Sequence, residues 1–474
     1  MILAAIAAPL LLAALALGVP HSRSRPRALL AGAALHAAAV AAMLARPPEP
    51  LLDGALALDA AGAVVLSTSS LLFLACAVYA QGYLRRREDR DNRLFVAGLL
   101  LLLSALTAVS LAQHLGVLWV AVELTTLATA PLIYFNRNAR SLEAAWKYLL
   151  LCSLGIALAL LGTFFLALAG TGPGGPRSLL IADLTAAGRA LQAPWVRGAF
   201  VFLLVGYGTK MGLAPLHAWK PDAYGEAPGL LGALLAGAVG ASAFLTLARV
   251  QQVMRTAGEG RFAGQALTAL GLLSLAVAAV YLASQRDLKR MLAWSSVEHM
   301  GIMALGLGLG GTAVAAAYLH AAASGLVKGV LFLTAGNIHR SYGSKLVDDV
   351  RGAARRLPIS GPLFLLAFMA ASGSPPFAPF LSEFGILGAA VSHGRPVVAA
   401  LYLAFLAAIF LGMGRTVMRV VLGDPAGAPE RPYPDSALTA APPLFLMALV
   451  VGLGLWIPGG LADLLRAAAA LVTG

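Results

Sequence analysis

Four ionisable residues stand inside long apolar runs. Glu123 lies in Trp119-Val-Ala-Val-Glu123-Leu and Lys210 in Val205-Gly-Tyr-Gly-Thr-Lys210-Met-Gly-Leu-Ala-Pro215. Lys328 lies in His320-Ala-Ala-Ala-Ser-Gly-Leu-Val-Lys328 and Glu383 in Ser374-Pro-Pro-Phe-Ala-Pro-Phe-Leu-Ser-Glu383. A charge at the centre of a bilayer costs roughly 3 kcal/mol or more, so such residues normally face a bundle interior or a wet cavity. Proton transfer needs a group that can hold or release a proton near neutral pH. A free lysine titrates too high, at about 10.4, but burial disfavours the charged form and a nearby carboxylate pulls the other way. Lys210 paired with Glu123 is therefore a candidate proton switch. The competing reading is a static ion pair that pins two helices; the recurrence of such groups in both halves of the chain favours the switch.

Prolines and histidines extend the pattern. Pro215 follows Lys210 by five residues, and Pro375, Pro376 and Pro379 precede Glu383. Proline removes a backbone donor and opens a helix. In membranes, paired breaks in two halves of a transporter mark the transport path, whereas a simple packing kink is the alternative. His320 precedes Lys328 by eight residues, about two turns, and so shares its helix face. His299 sits in Ser295-Ser-Val-Glu-His299-Met-Gly, and His217 closes the run that holds Lys210. Histidine is a natural proton relay, although a single buried histidine is more often hydrogen-bonded structure. His320 is the strongest relay candidate. His36 and His114, near run ends, read as structural.

The elements that hold these groups are membrane spans. Of the 474 residues, 59% are hydrophobic and only 12% charged, more apolar surface than a soluble protein could hide. With about 20 apolar residues needed per span, the chain reads as fourteen: roughly 1–19, 28–45, 60–84, 94–112, 115–135, 145–169, 198–217, 228–249, 264–283, 291–310, 313–338, 361–391, 397–418 and 437–457. Odd-numbered loops carry 23 basic residues, Lys220 and Lys289 among them, and the other side 9, Arg249 among them. That bias places both termini outside the cytoplasm. The two basic residues left over are Lys210 and Lys328, within spans. No positive charge precedes the first apolar run, while Arg23, Arg25 and Arg27 follow it, as for a retained span rather than a cleaved leader.

Other chemistries find little support. The net charge of +13 is distributed as short topology clusters rather than a nucleic-acid surface. Cys76 and Cys152 form no Cys-x-x-Cys pattern, so no zinc, haem or iron–sulfur site is expected, and no cofactor. Gly306-Leu-Gly-Leu-Gly-Gly311 lacks a strand–helix context and reads as small-residue helix packing. No phosphate-binding Gly-rich loop and no nucleophile elbow is present.

Four motifs carry a family likeness: Trp119-Val-Ala-Val-Glu123-Leu; the run from Lys210 through Leu-Ala-Pro-Leu-His217-Ala-Trp-Lys-Pro-Asp222-Ala-Tyr-Gly-Glu-Ala-Pro228; Gln285-Arg-Asp-Leu-Lys-Arg-Met-Leu-Ala-Trp-Ser-Ser-Val-Glu-His299-Met-Gly301; and Lys328-Gly-Val-Leu-Phe-Leu. From about residue 90 to 420 the chain resembles the antiporter-like subunits of respiratory complex I, Mrp-type antiporters and energy-converting hydrogenases. Glu123 to Tyr134, followed by Leu142-Glu-Ala-Ala-Trp-Lys-Tyr148, looks most like the F component of hydrogenase-4 type formate hydrogenlyase complexes.

The resemblance implies an all-α polytopic fold of about fourteen spans, with inverted five-helix repeats at spans four to eight and nine to thirteen. It divides the chain into a three-helix segment (1–90), a proton-translocating core (91–420) and a C-terminal loop with the last span (421–474). Glu123 and Lys210 would form the coupling pair of the first half-channel, with His217 and His299 as further relay candidates. His320, Lys328 and Glu383 would form the central relay and outward path of the second. Other membrane subunits of a hydrogenase or complex I-like assembly would be the partners, with iron–sulfur and nickel–iron subunits contacted indirectly, in a bacterial inner membrane. An Mrp-type cation/proton antiporter subunit and a structural anchor with vestigial charges are the alternatives. Many relatives carry a second lysine in the eighth span, where Gly229 to Phe244 has no ionisable group. Ordered water or Ser242 would then fill the gap, or coupling would be poor. The complex I subunit with a long lateral C-terminal helix is expected to be a poorer match.

Overall fold

The computed structural model describes residues 1–19, 21–87, 90–172, 174–176, 178–424 and 433–473. Arg177 and Arg431, both counted in the loop tally, lie outside the described residues. The chain runs through α1 (Ile2–Gly18), α2 (Arg25–Ala45), α3 (Ala60–Arg85), α4 (Arg93–Leu111), α5 (Leu115–Ile133) and α6 (Ala139–Ala169). The short α7 (Ile181–Ala187) leads to α8 (Ala193–Met211), α9 (Lys220–Glu226) and α10 (Gly229–Leu234), which continues through a π turn into α11 (Gly240–Thr256). Then come α12 (Gly260–Leu282), α13 (Leu288–Leu309), α14 (Thr312–Tyr342) and α15 (Ala353–Arg356). The remaining helices are α16 (Ser360–Ala371), α17 (Ala378–Ser392), α18 (Pro396–Leu422), α19 (Ala437–Leu455) and α20 (Gly459–Thr473).

The fourteen expected spans all appear as helical rods. Among the described residues, ten are long and apolar enough to cross a membrane unaided. The others are α1, α13 and the broken rods α8/α9 and α16/α17. α1, α16 and α17 are apolar but shorter than a span, whereas α13 and α8/α9 carry buried ionisable groups that lower their apolarity. Both breaks fall where the prolines predict them, at residues 212–219 and 372–377. Counted from α4 and again from α12, each break occupies the fourth rod of five.

Residues 229–251 are all buried, so the eighth span faces protein on every side. The long α14 is the second central rod, packed by α3, α10, α13, α16, α17, α19 and α20. Gly308 of α13 meets the Gly264 carbonyl of α12 at the distance of a missing Cβ, so the glycine run packs helices as its composition suggests. His36 holds Ser70 and Thr107 at 3.0 and 2.8 Å, and His114 caps α5 by accepting from the Gly116 amide, both structural roles.

Four basic residues assigned to loops are buried against protein: Arg25, Lys220, Lys289 and Arg249 are 2%, 0%, 2% and 2% exposed. Arg249 donates to the carbonyls of Val109, Ser110 and Ala112, the open C-terminal end of α4, and pairs with Asp59 at 3.1 Å. A cation there satisfies carbonyls that the helix cannot. Hydropathy also passes over α20, an amphipathic helix that buries Leu465, Ala468, Ala469 and Val472 against α3, α11 and α14. Its last turn is tied by Arg255 Nη2 to the Thr473 carbonyl at 2.9 Å.

Candidate proton-transfer site

The first cluster forms where α5, α6 and α8 meet. Lys210, in the last turn of α8, is 2% exposed. Its Nζ donates to Thr126 Oγ1 at 2.8 Å and to Tyr148 Oη at 3.0 Å. Thr129 Oγ1 donates to the Thr125 carbonyl at 2.6 Å, so the 2.7 Å contact between Thr129 and Tyr148 takes the tyrosine hydrogen and leaves the tyrosine lone pairs for Lys210. No carboxylate among the described residues lies within 4.0 Å of Lys210. The expected Glu123–Lys210 pair is thus not a contact ion pair. Glu123 instead accepts from Ser153 Oγ at 2.7 Å, one turn along α5 from Thr126. The ammonium has two neutral oxygens as partners, and the backbone of Glu123 stands one turn of α5, about 4.5 Å of axial rise, from that of Thr126.

The second cluster is built from α13, α14 and α17. Lys328 Nζ donates to Ser295 Oγ at 2.7 Å, and Ser295 Oγ donates to Glu298 Oε2 at 3.2 Å. His299, the next residue on α13, places Nδ1 2.9 Å from His320 Nε2, and His320 Nδ1 lies 2.9 Å from Ser382 Oγ. Ser382 Oγ donates to the Pro379 carbonyl at 2.8 Å. Its one hydrogen being spent, Ser382 must accept from His320 Nδ1–H, so neutral His320 presents a bare Nε2 to the His299 Nδ1–H. His299 Nε2 is then left as a buried acceptor with no protein partner among the described residues. The hydrogen bonds all point one way, from His299 through His320 to Ser382, and Glu383 is the next residue.

Each break is shaped to receive a charged side chain. α8 ends on Gly212 at φ +76°, and a Cβ there would lie 2.3 Å from Lys220 Cε. α16 is followed by Gly373 at φ +65°, where a Cβ would lie 2.0 Å from Glu383 Oε2. Only glycine combines a left-handed backbone with that approach. In both rods, an ionisable side chain from the second half-helix folds back onto the glycine that ends the first.

His299, His320 and Glu383 each offer a ligand atom within 4.8 Å of the others. The His299–His320 contact is a hydrogen bond that occupies the His320 Nε2 lone pair a metal would need. His217 stands apart. It lies half-buried in the first break with its ring edge on Trp294, centroids 5.1 Å apart, and makes no hydrogen bond to either cluster. Sequence reasoning overlooks Lys220 and Glu298, together with the hydroxyls of Thr126, Tyr148, Ser153, Ser295 and Ser382. For Glu298 the signal is plain, an acid inside an expected span. For Lys220 it is subtler, a lone basic residue in a loop whose counterparts mostly carry three or five.

On the Lys345 face of the bundle, Asp222 of α9 bridges Lys147 at 3.0 Å and Arg290 at 2.5 Å, while Lys345 joins Glu226 at 2.7 Å to Asp287 at 3.2 Å. These pairs tie α9, the second half of the first broken rod, to α6, α13 and the loop after α14.

Residues 112–410, which include every group in both clusters, match the family described as NADH:quinone oxidoreductase/Mrp antiporter, TM. A hydrogenase-4 component F homolog of Methylacidiphilum infernorum is 34% identical over 66% of this chain and 67% of its own. NADH-quinone oxidoreductase subunit 14 of Thermus thermophilus is 33% identical over 91% of this chain and 92% of its own. The Mrp complex of Dietzia sp. DQ12-45-1b contains a chain that superposes with a TM-score of 0.87, covering 100% of this chain and 97% of that one at 22% identity, a likeness of fold.

Proposed function

The chain belongs to the NADH:quinone oxidoreductase/Mrp antiporter family of membrane subunits, and from that premise we propose that its two polar clusters are the path along which it translocates protons. The carrying observation is the one-directional hydrogen-bond chain from His299 through His320 to Ser382, beside the Lys328–Ser295–Glu298 chain. A proton reaching the free His299 Nε2 releases the Nδ1 proton to His320 Nε2. His320 then gives up its Nδ1 proton toward Ser382 and Glu383. In the first cluster, Lys210 alternates between the Thr126 and Tyr148 oxygens and the Glu123 carboxylate.

Glu123 is suited to receive a signal from outside the chain. Its neighbours one turn away, Val120 and Leu127, are 57% and 53% exposed, so this face of α5 is open to an adjoining membrane subunit. A charge change in that neighbour moves Glu123 relative to Lys210. We place the chain in a bacterial inner membrane with both termini on the non-cytoplasmic side, following the basic-residue bias. The driving redox chemistry belongs to iron–sulfur and nickel–iron subunits of a hydrogenase or complex I-like assembly. The Mrp fold likeness favours a second reading, a cation/proton exchanger subunit.

Inverted vesicles containing the intact complex decide between them. Proton uptake that follows electron transfer and persists without sodium supports the redox-driven reading. Uptake that requires a sodium gradient supports the exchanger. A Lys210→Ala variant with undiminished uptake overturns both.

A further inference from the structure

The two clusters belong to different halves of the chain, and a proton shared between them has to cross the seam. The eighth span lies in that seam, and Gly229 to Phe244 contributes no ionisable side chain. We propose that Lys220, on the second half of the broken seventh span, is the proton carrier that connects the Lys210 cluster to the Lys328 cluster.

Its placement carries the argument. Lys220 is 0% exposed and opens α9, the seven-residue half-helix that follows the break. Its side chain folds back over Gly212, two residues from Lys210 along the chain. Its Nζ reaches Ser296 Oγ at 3.3 Å, and the adjacent Ser295 accepts from Lys328 at 2.7 Å. The end of the side chain, Cδ to Nζ, thus lies against the glycine two residues beyond Lys210 and within reach of the serine pair of the other cluster. The same serine pair adjoins Glu298 and His299, where the outward chain starts.

A structural role fits less well. A buried ammonium used only for stability needs a carboxylate, because an uncompensated buried charge costs several kcal/mol. No carboxylate among the described residues lies within 4.0 Å of Lys220. Among those residues Ser296 is its one hydrogen-bond partner, and the rings of Tyr224 and Trp219, at 5.8 and 6.0 Å from Nζ, complete the surroundings. An amine held by one long hydrogen bond is free to gain a proton on one side and lose it on the other. The ionisable groups facing it are Lys328 on α14, Cys152 on α6, His217 in the break and His299 on α13. In one cycle an N–H bond forms at Lys220 as Lys210 gives up its proton. That bond then breaks through the Ser296 hydroxyl as a proton arrives at Lys328, so nothing is left behind.

The inference rests on the proton-translocation reading, and the test separates the two. Proton uptake is measured with a quenched acridine dye in inverted vesicles carrying the intact complex, normalised to assembled complex on native gels. Lys220→Met is expected to lower uptake at least tenfold. Lys220→Arg is expected to do the same, because arginine keeps the charge but does not release its proton. Lys220→His is expected to restore part of the uptake with a new pH dependence around the imidazole range. Wild-type uptake in Lys220→Met, with uptake lost in Lys210→Met, overturns the Lys220 assignment alone. Wild-type uptake in both overturns the proton path itself. If Lys220→Met fails to assemble, Lys220→Arg decides, and wild-type uptake in that variant overturns the proposal.

Discussion

His299 Nδ1 and His320 Nε2 lie 2.9 Å apart in the fully buried interior, on neighbouring helices. The contact fixes both tautomers, because Ser382 has already committed its hydrogen to Pro379. His320 accepts from one side and donates on the other. His320→Ala is expected to lower proton uptake by at least tenfold, and Ser382→Ala by a smaller factor, since only the terminal acceptor is lost. Dye-quench uptake in vesicles, with assembly checked on native gels, measures both. Equal uptake in His320→Ala and wild type would rule out this chain.

The oxygens around Lys210 give a second prediction. Tyr148→Phe removes one of two acceptors from a buried ammonium, a loss of about 1–3 kcal/mol. The remaining partner, Thr126, leaves the lysine weakly held and closer to a permanent pair with Glu123. Uptake should fall several-fold while the complex still assembles, and Glu123→Gln combined with Tyr148→Phe should add little further loss. Simple additivity of the two substitutions would argue against a shared lysine.

Gly373→Ala tests the second break. The new Cβ would occupy the place of Glu383 Oε2 and would strain a left-handed backbone, at a cost of roughly 1–3 kcal/mol. Glu383 must then leave its position. Proton uptake is expected to drop to near that of Glu383→Gln in assembled complex, whereas an unchanged rate would show that the carboxylate does not need this seat.

Arg249 makes a prediction of another kind, about stability alone. Arg249→Met leaves three carbonyls at the end of α4 without their donor and removes the guanidinium from Asp59, which keeps the Gly62 amide, and each buried acceptor left unpaired costs about 1–3 kcal/mol. The purified variant should melt well below wild type in detergent. Arg249→Lys should not restore the melting temperature, because one ammonium cannot reach all four acceptors. A wild-type melting temperature in Arg249→Met would show that these contacts contribute little to the fold.

What the sequence discloses follows a physical division. Spans are legible because each is a local run of apolar residues, and the breaks because proline acts on its own backbone. Lys210, Lys328, His320 and Glu383 are conspicuous because ionisable groups are rare in such runs. Lys220 is hidden because it follows the break, where the chain reads as loop, and its burial comes from α9 turning back into the bundle. Charge alone predicts a Glu123–Lys210 contact. Thr126 and Tyr148 displace it because hydroxyls from α5 and α6 converge on the ammonium, and nothing in the linear pattern announces that convergence. The packing of α20 is likewise a tertiary fact, since its apolar face is too narrow to register as a span.

Lys328 is the place to test the account most directly, since it joins the serine pair, Glu298 and the route to the histidines. Proton uptake by inverted vesicles should be compared between wild-type complex and an assembled Lys328→Met variant in sodium-free medium. Robust uptake is expected in the first and background uptake in the second. Equal uptake in the two would show that Lys328 is not on the proton path.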